Sequence, residues 1–430
     1  MNPQLALRTV LQGLAALAAS ALALHGQTLN VLHSFGHNNL GHQPESGVTV
    51  GPNGQLYGSA PFGGANGLGL VYELVPPGSV RSAWTEVVLH SFSSGGGDGA
   101  STSALLLAPD GTLYGTTEIN GAGGYGTVFE LKPPAGTGAH WRESVLHAFT
   151  DSNGDGSAPS ATPALGPHHV LYGTTSSGGS STGGTLYVVV PPSAQGGTWT
   201  EQILYSYPGY AGDGEEPAGP LARGSDGTIY GTTKDGGVEA GTAFQLAPPT
   251  TPGGVWTETL LHTFAGSSDS GFPNGLVLGS GGALYGTTQG GNSARQCSNG
   301  IPCGTVFQLT PPASPGGPWT ETILHTFTGS PNGDGSQPNS TPVLGPGGVL
   351  YGTTADGGIP GPGRGTIYEM APPSSPGEPW TEVILYSFPE SGAEGGVPNA
   401  VTLGPDGNLY GTTLTGGAHN LGTVFQLVLQ

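Results

Sequence analysis

The chain has 430 residues, among them 82 glycines and 39 prolines; charged residues make up only 8%, and the formal net charge is −20. These values disfavour binding to nucleic acid or to an anionic membrane surface, because neutralising phosphates requires lysine and arginine, and the chain has eight. Without a repeat, so much glycine and proline would indicate disorder. With a repeat, it indicates many tight turns.

The first 25 residues have the pattern of a secretory signal peptide. Arg8 precedes an apolar run from Val10 to Leu22, and Ala21-Leu22-Ala23 or Ala19-Ser20-Ala21 offers a cleavage site. An uncleaved anchor is the alternative, but the run is short for a span of about 20 residues. We therefore expect a secreted or periplasmic, extracellular protein with no membrane span after cleavage, in which residues 26–430 form one domain.

One motif, Leu-Tyr-Gly or Ile-Tyr-Gly, nearly always followed by Thr-Thr, recurs along the rest of the chain at steps of 55 to 66 residues. A near-constant period of this length is typical of repeat architectures. Seven copies match a common number of blades in a closed β-propeller. The seven tyrosines are Tyr57, Tyr114, Tyr172, Tyr230, Tyr285, Tyr351 and Tyr410.

Each repeat contains four short runs rich in β-branched and aromatic residues. In residues 102–149 these runs are Ala104 to Leu107, Thr112 to Thr117, Gly126 to Leu131 and Trp141 to Phe149, separated by Gly, Pro and Asp. Such runs predict strands joined by turns. We name them strands A, B, C and D.

The two ends of the repeat array are complementary. Residues 28–35 match strand D but precede the first strand A, whereas the last repeat has strands A, B and C and stops at Gln430. Pairing these ends would remove two open sheet edges. The sequence therefore predicts an all-β fold, a seven-bladed β-propeller of four-stranded blades, closed by the N-terminal strand completing the last blade.

Two cysteines, Cys297 and Cys303, lie together in the longest B–C loop. In an exported protein we expect a disulfide between them. Free thiols are the main alternative, and two thiols without a neighbouring histidine form at most half of a zinc site.

The B–C and D–A loops share one face of such a propeller, and we expect any binding site there, since variable loops on a rigid scaffold usually carry function. The D–A loops contain many of the acidic residues of the chain. Histidines that recur at one D-strand position, such as His90 and His147, are expected to be structural, because a catalytic base would be singular. The candidate binding residues on this face are Asp98, Asp155, Asp213, Glu215, Glu216, Lys234, Asp269 and Asp334.

No metal site is assigned from the sequence. The segments 153–157 and 332–336 resemble calcium loops but supply one carboxylate each. We expect turns there, and Ca²⁺ is the one cofactor left open.

Unusual charges concentrate in the fourth repeat, where Glu215, Glu216, Arg223, Lys234 and Asp235 lie. They leave open a carbohydrate-active enzyme, a polysaccharide lyase or hydrolase. We assign no catalytic residue and favour a non-enzymatic, monomeric binding module for glycans or cell-surface proteins. A structural component of the cell surface or matrix is a third interpretation.

The unit Leu-Tyr-Gly-Thr-Thr … Gly-Thr-Val-Phe … Trp-Thr-Glu-x-x-Leu-His-Ser-Phe resembles the GloVer tandem repeat of exported bacterial choice-of-anchor proteins, over residues 28–430. The resemblance implies an extracellular or cell-surface protein and supplies no catalytic residues. Many relatives end in an anchoring segment; this chain ends within a predicted strand, so we expect release or periplasmic residence.

Overall fold

The computed structural model describes residues 27–36, 41–78, 83–93, 97–136, 139–194, 196–209, 212–238, 240–251, 253–266, 270–291, 303–314, 316–329, 333–358, 363–375, 377–390 and 392–430. Over these residues the regular structure is antiparallel β-strand with three short 3₁₀ turns, Pro167–His169, Ser280–Gly282 and Pro346–Gly348, and no α-helix. A helix of the length and apolarity needed to cross a bilayer is likewise not found in this part of the chain. The predicted signal peptide lies outside the described residues.

The described strands form seven blades, each with its strands in the order A, B, C, D. Blade 1 has Thr49–Val50, Leu56–Ala60, Leu70–Val75 and Thr85–Ser91; blade 2 has Ala100–Thr102 with Leu106–Leu107, Leu113–Ile119, Thr127–Lys132 and Arg142–Ala148. Blade 3 has Gly156–Ser157 with Ala164–Leu165, Leu171–Thr175 with Ser177–Gly178, Thr185–Val190 and Thr200–Ser206. Blade 4 has Gly214–Arg223, Ile229–Gly236, Thr242–Ala247 and Thr257–Thr263.

The remaining blades follow the same order. Blade 5 has Ser270–Leu278, Leu284–Gly291, Thr305–Thr310 and Thr320–Thr326; blade 6 has Ser336–Pro338 with Val343–Leu344, Leu350–Asp356, Thr366–Ala371 and Thr381–Ser387. Blade 7 has Gly396–Leu403, Leu409–Thr415, Thr423–Val428 and, as its strand D, Thr28–Ser34.

Ring closure occurs where the sequence predicts it. Thr28–Ser34 pairs antiparallel with Thr423–Val428, with Thr28 opposite Val428 and Ser34 opposite Thr423. The pairing carries Phe35 into the core, where it is fully buried. The predicted seven-bladed, closed all-β propeller is therefore confirmed.

The glycine of the repeated motif is required by a close approach of an aromatic ring. In blade 2, a Cβ added to Gly115 would lie 2.6 Å from Cζ of Phe129 on strand C. The same clash arises between Gly58 and the hydroxyl of Tyr72. The tip of the strand C ring thus lies against the backbone of strand B, where a Cβ atom would overlap it.

The two threonines of the motif bond in different directions. The second threonine joins strand B to strand C: Thr117 Oγ1 lies 2.8 Å from Thr127 Oγ1, and both are buried. The first reaches the next blade, as where Thr116 Oγ1 donates to the Ala161 carbonyl at 3.2 Å. Equivalent bonds between blades run from Ser59 to Ser103, from Thr287 to Ser340, from Thr353 to Asn399 and from Thr412 to Ser46.

Aromatic pairs fill the boundaries between blades. The aromatic residue after strand D of one blade packs edge-on against the strand C aromatic of the next; Phe92 and Phe129, for example, have ring centroids 5.4 Å apart. Farther along the boundary, Tyr57 of blade 1 contacts Trp141 of blade 2 at 5.9 Å. Such pairs contribute about 0.5–1.5 kcal/mol each beyond the apolar area they bury. The recurring aromatics therefore hold adjacent blades together.

Candidate functional site: the mouth of the central channel

The A strands of the described blades surround a central cavity of about 580 Å³. Its lining includes residues 45–49 of blade 1, 101–105 of blade 2, 160–162 of blade 3, 218–220 of blade 4, 272–274 of blade 5, 339–341 of blade 6 and 399–402 of blade 7. Strand A forms the inner wall because the chain enters each blade from the centre and leaves it at strand D. The cavity is therefore shared by all the repeats.

On one side of this cavity, three asparagine side chains form hydrogen bonds between neighbouring blades. Asn274 donates from Nδ2 to the Pro338 carbonyl of the next blade at 2.8 Å, and Asn339 does the same to Pro398 at 3.1 Å. The third, Asn399, donates to the Pro44 carbonyl of blade 1 at 2.5 Å. The Pro-Asn dipeptides of blades 5, 6 and 7 thus tie each inner strand to its neighbour and keep the cavity rigid.

Charged and polar side chains gather at the mouth of the cavity, on the face of the B–C and D–A loops. Glu118, Lys234 and Gln289 occupy the same repeat position, directly after the two threonines of strand B, and all three line the cavity. Ser101 Oγ donates to Glu118 Oε2 at 3.3 Å, and Gln289 Nε2 donates to Asn274 Oδ1 at 2.9 Å. The mouth of the cavity therefore presents both hydrogen-bond donors and hydrogen-bond acceptors.

Glu45 and Phe272 complete the mouth. Burial, and to a smaller extent the neighbouring Glu118, raise the pKa of Glu45 above its ordinary value. Phe272 leaves 37% of its surface exposed although it lines the cavity. We define the channel mouth as Glu45, Glu118, Lys234, Phe272 and Gln289.

The acidic residues of the D–A loops that were predicted to bind a ligand form hydrogen bonds with strand D and with their own loops. His90 Nε2 lies 2.9 Å from Asp98 Oδ2, and the Tyr205 hydroxyl donates to Asp213 Oδ2 at 2.5 Å. His147 with Asp155 and His325 with Asp334 repeat the arrangement at 3.4 and 3.3 Å. Backbone N–H groups of the same loops also donate to these carboxylates, at Ser93, Thr150, Gly214 and Thr328.

These contacts connect each acid to strand D and shape the loop that follows. Asp98 is 5% exposed, and none of the four lines the cavity. Burial opposes ionisation of Asp334, but hydrogen bonds from His325 and Thr328 outweigh it and lower the pKa of that carboxyl. Their role in binding stays a prediction, and Asp269 lies outside the described residues.

The charges of the fourth blade do not all lie together, and only Lys234 among them lines the cavity. Glu215 pairs through its backbone with Asp235, and the Glu216 N–H donates to the Gly183 carbonyl at 3.0 Å, so both lie at the start of strand A. Arg223 lies at the opposite end of the same strand. Among the predicted binding residues that the structure describes, Lys234 alone lines the cavity.

Cys303 is 1% exposed and packs in the core with Val306, Phe327 and Tyr368. Its predicted partner Cys297 lies outside the described residues, so the disulfide stays a prediction.

Glu45, Glu118, Phe272 and Gln289 are not among the residues predicted from the sequence. Glu118 and Gln289 share with Lys234 the position after the motif threonines. The other two flank a proline that recurs before or within strand A: Glu45 follows Pro44, and Phe272 precedes Pro273. Both positions are therefore fixed within the repeat, but the residue types found there differ from blade to blade.

The geometry defines the class of protein: a closed, seven-bladed β-propeller of tandem repeats with a central cavity that has polar and charged side chains at its mouth. The profile of the Gloeobacter/Verrucomicrobia repeat family matches residues 18–207, 159–314 and 294–430. The chain belongs to this family, and the resemblance to the GloVer repeat is confirmed. No curated protein matches the sequence.

Several solved structures are similar to the chain at low sequence identity. A protein described as a putative 6-phosphogluconolactonase from Bacteroides uniformis is 16% identical, with 83% of this chain and 88% of that chain covered and a TM-score of 0.48. PorZ, a surface component of the type-IX secretion system of Porphyromonas gingivalis, is 13% identical, with coverage of 93% and 48% and a TM-score of 0.49. The extracellular domain of the putative hybrid two-component system BT4673 of B. thetaiotaomicron is 11% identical, with coverage of 93% and 39% and a TM-score of 0.49. These similarities concern the fold alone.

Proposed function

We propose that the protein is an exported, non-enzymatic binding module and that its ligand is a neutral glycan segment held at the channel mouth. The observation that carries the proposal is a cavity of about 580 Å³ with a polar rim and one exposed aromatic ring. This volume lies within the range of about 300–1,000 Å³ typical of small-molecule sites. Export is supported by the leader pattern of residues 1–25.

The chemistry of the rim favours sugar hydroxyls. A hydroxyl both donates and accepts, so a site for it needs carboxylate or carbonyl oxygens together with N–H groups. Glu45 and Glu118 supply acceptors, Lys234 supplies donors, and Gln289 supplies both. Phe272 offers an apolar face against which the C–H side of a sugar ring can pack.

The charge of the protein argues for a neutral ligand. Two carboxylates and one ammonium group lie at the mouth, and the whole chain carries −20. A polyanion would meet repulsion both at the rim and over the surface.

A glycan array followed by calorimetry on the best binder tests the proposal. We expect Phe272→Ala to weaken binding about tenfold, or about 1.4 kcal/mol, because the stacking surface is lost. Phe62→Ala is the matched control, since Phe62 is also exposed, at 44%, but does not line the cavity. The proposal fails if no glycan binds, or if the two variants bind equally well.

A carbohydrate-active enzyme is the second candidate. It is favoured by the pKa of Glu45, which burial and, to a smaller extent, Glu118 raise, because glycan cleavage usually requires a general acid with a raised pKa beside a second carboxyl group. In that case the purified protein should release shorter products from a glycan that it binds. Glu45→Gln and Glu118→Gln should then abolish product release while binding persists. Binding without any product would exclude this candidate.

A further inference from the structure

Three side chains with metal-binding atoms converge at the boundary between blades 2 and 3. His147 lies on strand D of blade 2, Asp155 follows in the D–A loop, and Glu201 lies on strand D of blade 3. One imidazole nitrogen and one oxygen from each carboxylate all lie within 4.8 Å of one another. Across the described residues, no other set of three His, Cys, Asp or Glu side chains meets this criterion.

We propose that His147, Asp155 and Glu201 bind a divalent transition-metal ion, with Zn²⁺ the best match, and that the ion joins blade 2 to blade 3. The site is separate from the channel mouth, and the proposal is independent of the proposed glycan binding.

The spacing of the ligand atoms is compatible with a shared ion. His147 Nε2 lies 3.4 Å from Asp155 Oδ1, and two ligand atoms, each about 2.1 Å from a tetrahedral Zn²⁺, lie about 3.4 Å apart. The His325 and Asp334 atoms have nearly the same separation, 3.3 Å, but among the described residues no third ligand atom lies within 4.8 Å of both. The oxygen of Glu201 therefore distinguishes the site.

The glutamate adds an unpaired buried oxygen. Glu201 Oε1 is buried and has no hydrogen-bond partner, which is costly for a carboxylate. An ion bound here would supply the missing partner and neutralise the two carboxylates.

The ligand types indicate which ion fits. Imidazole suits zinc and its neighbours in the first transition row, whereas Ca²⁺ takes six to eight oxygen ligands. The sequence pattern around Asp155 resembles a calcium loop, but the loop supplies one carboxylate. An imidazole with two carboxylates therefore favours Zn²⁺ over Ca²⁺.

The chain contains a natural version of the site without the imidazole. At the boundary between blades 3 and 4, Tyr205 replaces the histidine and its hydroxyl donates to Asp213 at 2.5 Å. Since tyrosine is accepted at this repeat position, His147→Tyr should remove the metal ligand while preserving the hydrogen bond to the aspartate. His325→Tyr makes the same change beside Asp334 and is the matched control.

The test uses untagged protein, stripped with a chelator and titrated with Zn²⁺ by calorimetry. We expect His147→Tyr and Glu201→Gln each to lower the affinity of one Zn²⁺ equivalent at least tenfold, whereas His325→Tyr matches the wild type. Zn²⁺ should raise the thermal midpoint of the wild type and of His325→Tyr, but not that of His147→Tyr. Co²⁺ added in place of Zn²⁺ should give a visible absorption band that His147→Tyr lacks.

Equal Zn²⁺ titrations for the wild type, His147→Tyr and Glu201→Gln would overturn the proposal, as would a wild type that binds no Zn²⁺ at millimolar concentration. If His147→Tyr does not fold, judged by its thermal midpoint without metal, Glu201→Gln alone decides the outcome in the same way.

Discussion

At the scale of single residues, close contacts explain why the repeat motif varies so little: six of the seven copies have Thr-Thr, and only blade 1 has Ser59-Ala60. Gly115 is fixed because the ring of Phe129 lies against it, and Thr117 is fixed because its hydroxyl meets that of Thr127 in a buried pair. A side chain added at the first position overpacks the core, and a hydroxyl removed at the second leaves a buried partner unsatisfied. These positions therefore serve folding, and function must use the residues that differ between repeats.

Replacing Gly115 with alanine should lower the free energy of unfolding by about 1–3 kcal/mol, the range for overpacked cores. Gly78→Ala is the control, because no atom lies within 4 Å of a Cβ added there, and we expect a change within about 0.5 kcal/mol. Urea denaturation followed by tryptophan fluorescence measures both values. Equal losses for the two variants would show that the ring of Phe129 is not the cause.

At the scale of strands, the D strands carry buried carboxyl groups along the outer boundaries between blades. Burial is the main cause that raises the pKa of Glu143, Glu258 and Glu382 to about 7. The folded protein therefore holds these protons more tightly than the unfolded chain, whose glutamates titrate near 4.5. The stability that they contribute is complete below about pH 4.5 and is lost as the pH rises through about 7.

Glu258→Gln should therefore stabilise the protein at pH 8, by about 2 °C in thermal midpoint, and change little at pH 4.5. Glutamine resembles the protonated acid and removes the repulsion from Asp213 that accompanies burial. Glu390→Gln is the control, because Glu390 is exposed. Thermal unfolding of the three proteins at both pH values makes the comparison; an equal gain at pH 4.5 and pH 8 would contradict the assignment.

The repeat period and the pattern of strand-forming residues predicted the strands well. They did not predict where a strand is split or shifted in register. The four strands per repeat follow from alternation between turn residues, yet strand A is split in blades 2, 3 and 6. Strand D carries a register shift before its histidine, as between Val145 and His147. The shift recurs at the same position in all seven blades, but the alternation of residue types within a strand does not indicate it.

At the scale of the whole molecule, the sequence predicted which face carries the variable loops but not where on that face the side chains converge. Asp98 and Asp213 were expected to face a ligand, and the structure turns them toward strand D instead. Glu45, Phe272 and Lys234 line one cavity because the ring brings blades 1, 4 and 5 around one axis. That convergence depends on closure, so it could be found only with the fold in hand.

Removing residues 28–35 should abolish cooperative folding, because it exposes the edge of Thr423–Val428 and removes the buried ring of Phe35 from Tyr72. We expect a protein spanning 36–430 to aggregate, whereas one spanning 27–430 unfolds in a single transition. A peptide of residues 28–35 added in trans should restore part of the loss. Scanning calorimetry and light scattering compare the two proteins, and a monomeric 36–430 of equal thermal midpoint would contradict the role assigned to this strand.

The pairing of Thr28–Ser34 with Thr423–Val428 also determines how early the ring can close during synthesis of the chain. Roughly 400 residues separate the partners, which at about 5–20 residues per second is a wait of some 20–80 s on the ribosome. Throughout that interval the N-terminal strand of the nascent chain is unpaired, so the ring cannot be completed before Thr423–Val428 has been synthesised. A translocation machine that threads extended chains would meet this protein while it is still open.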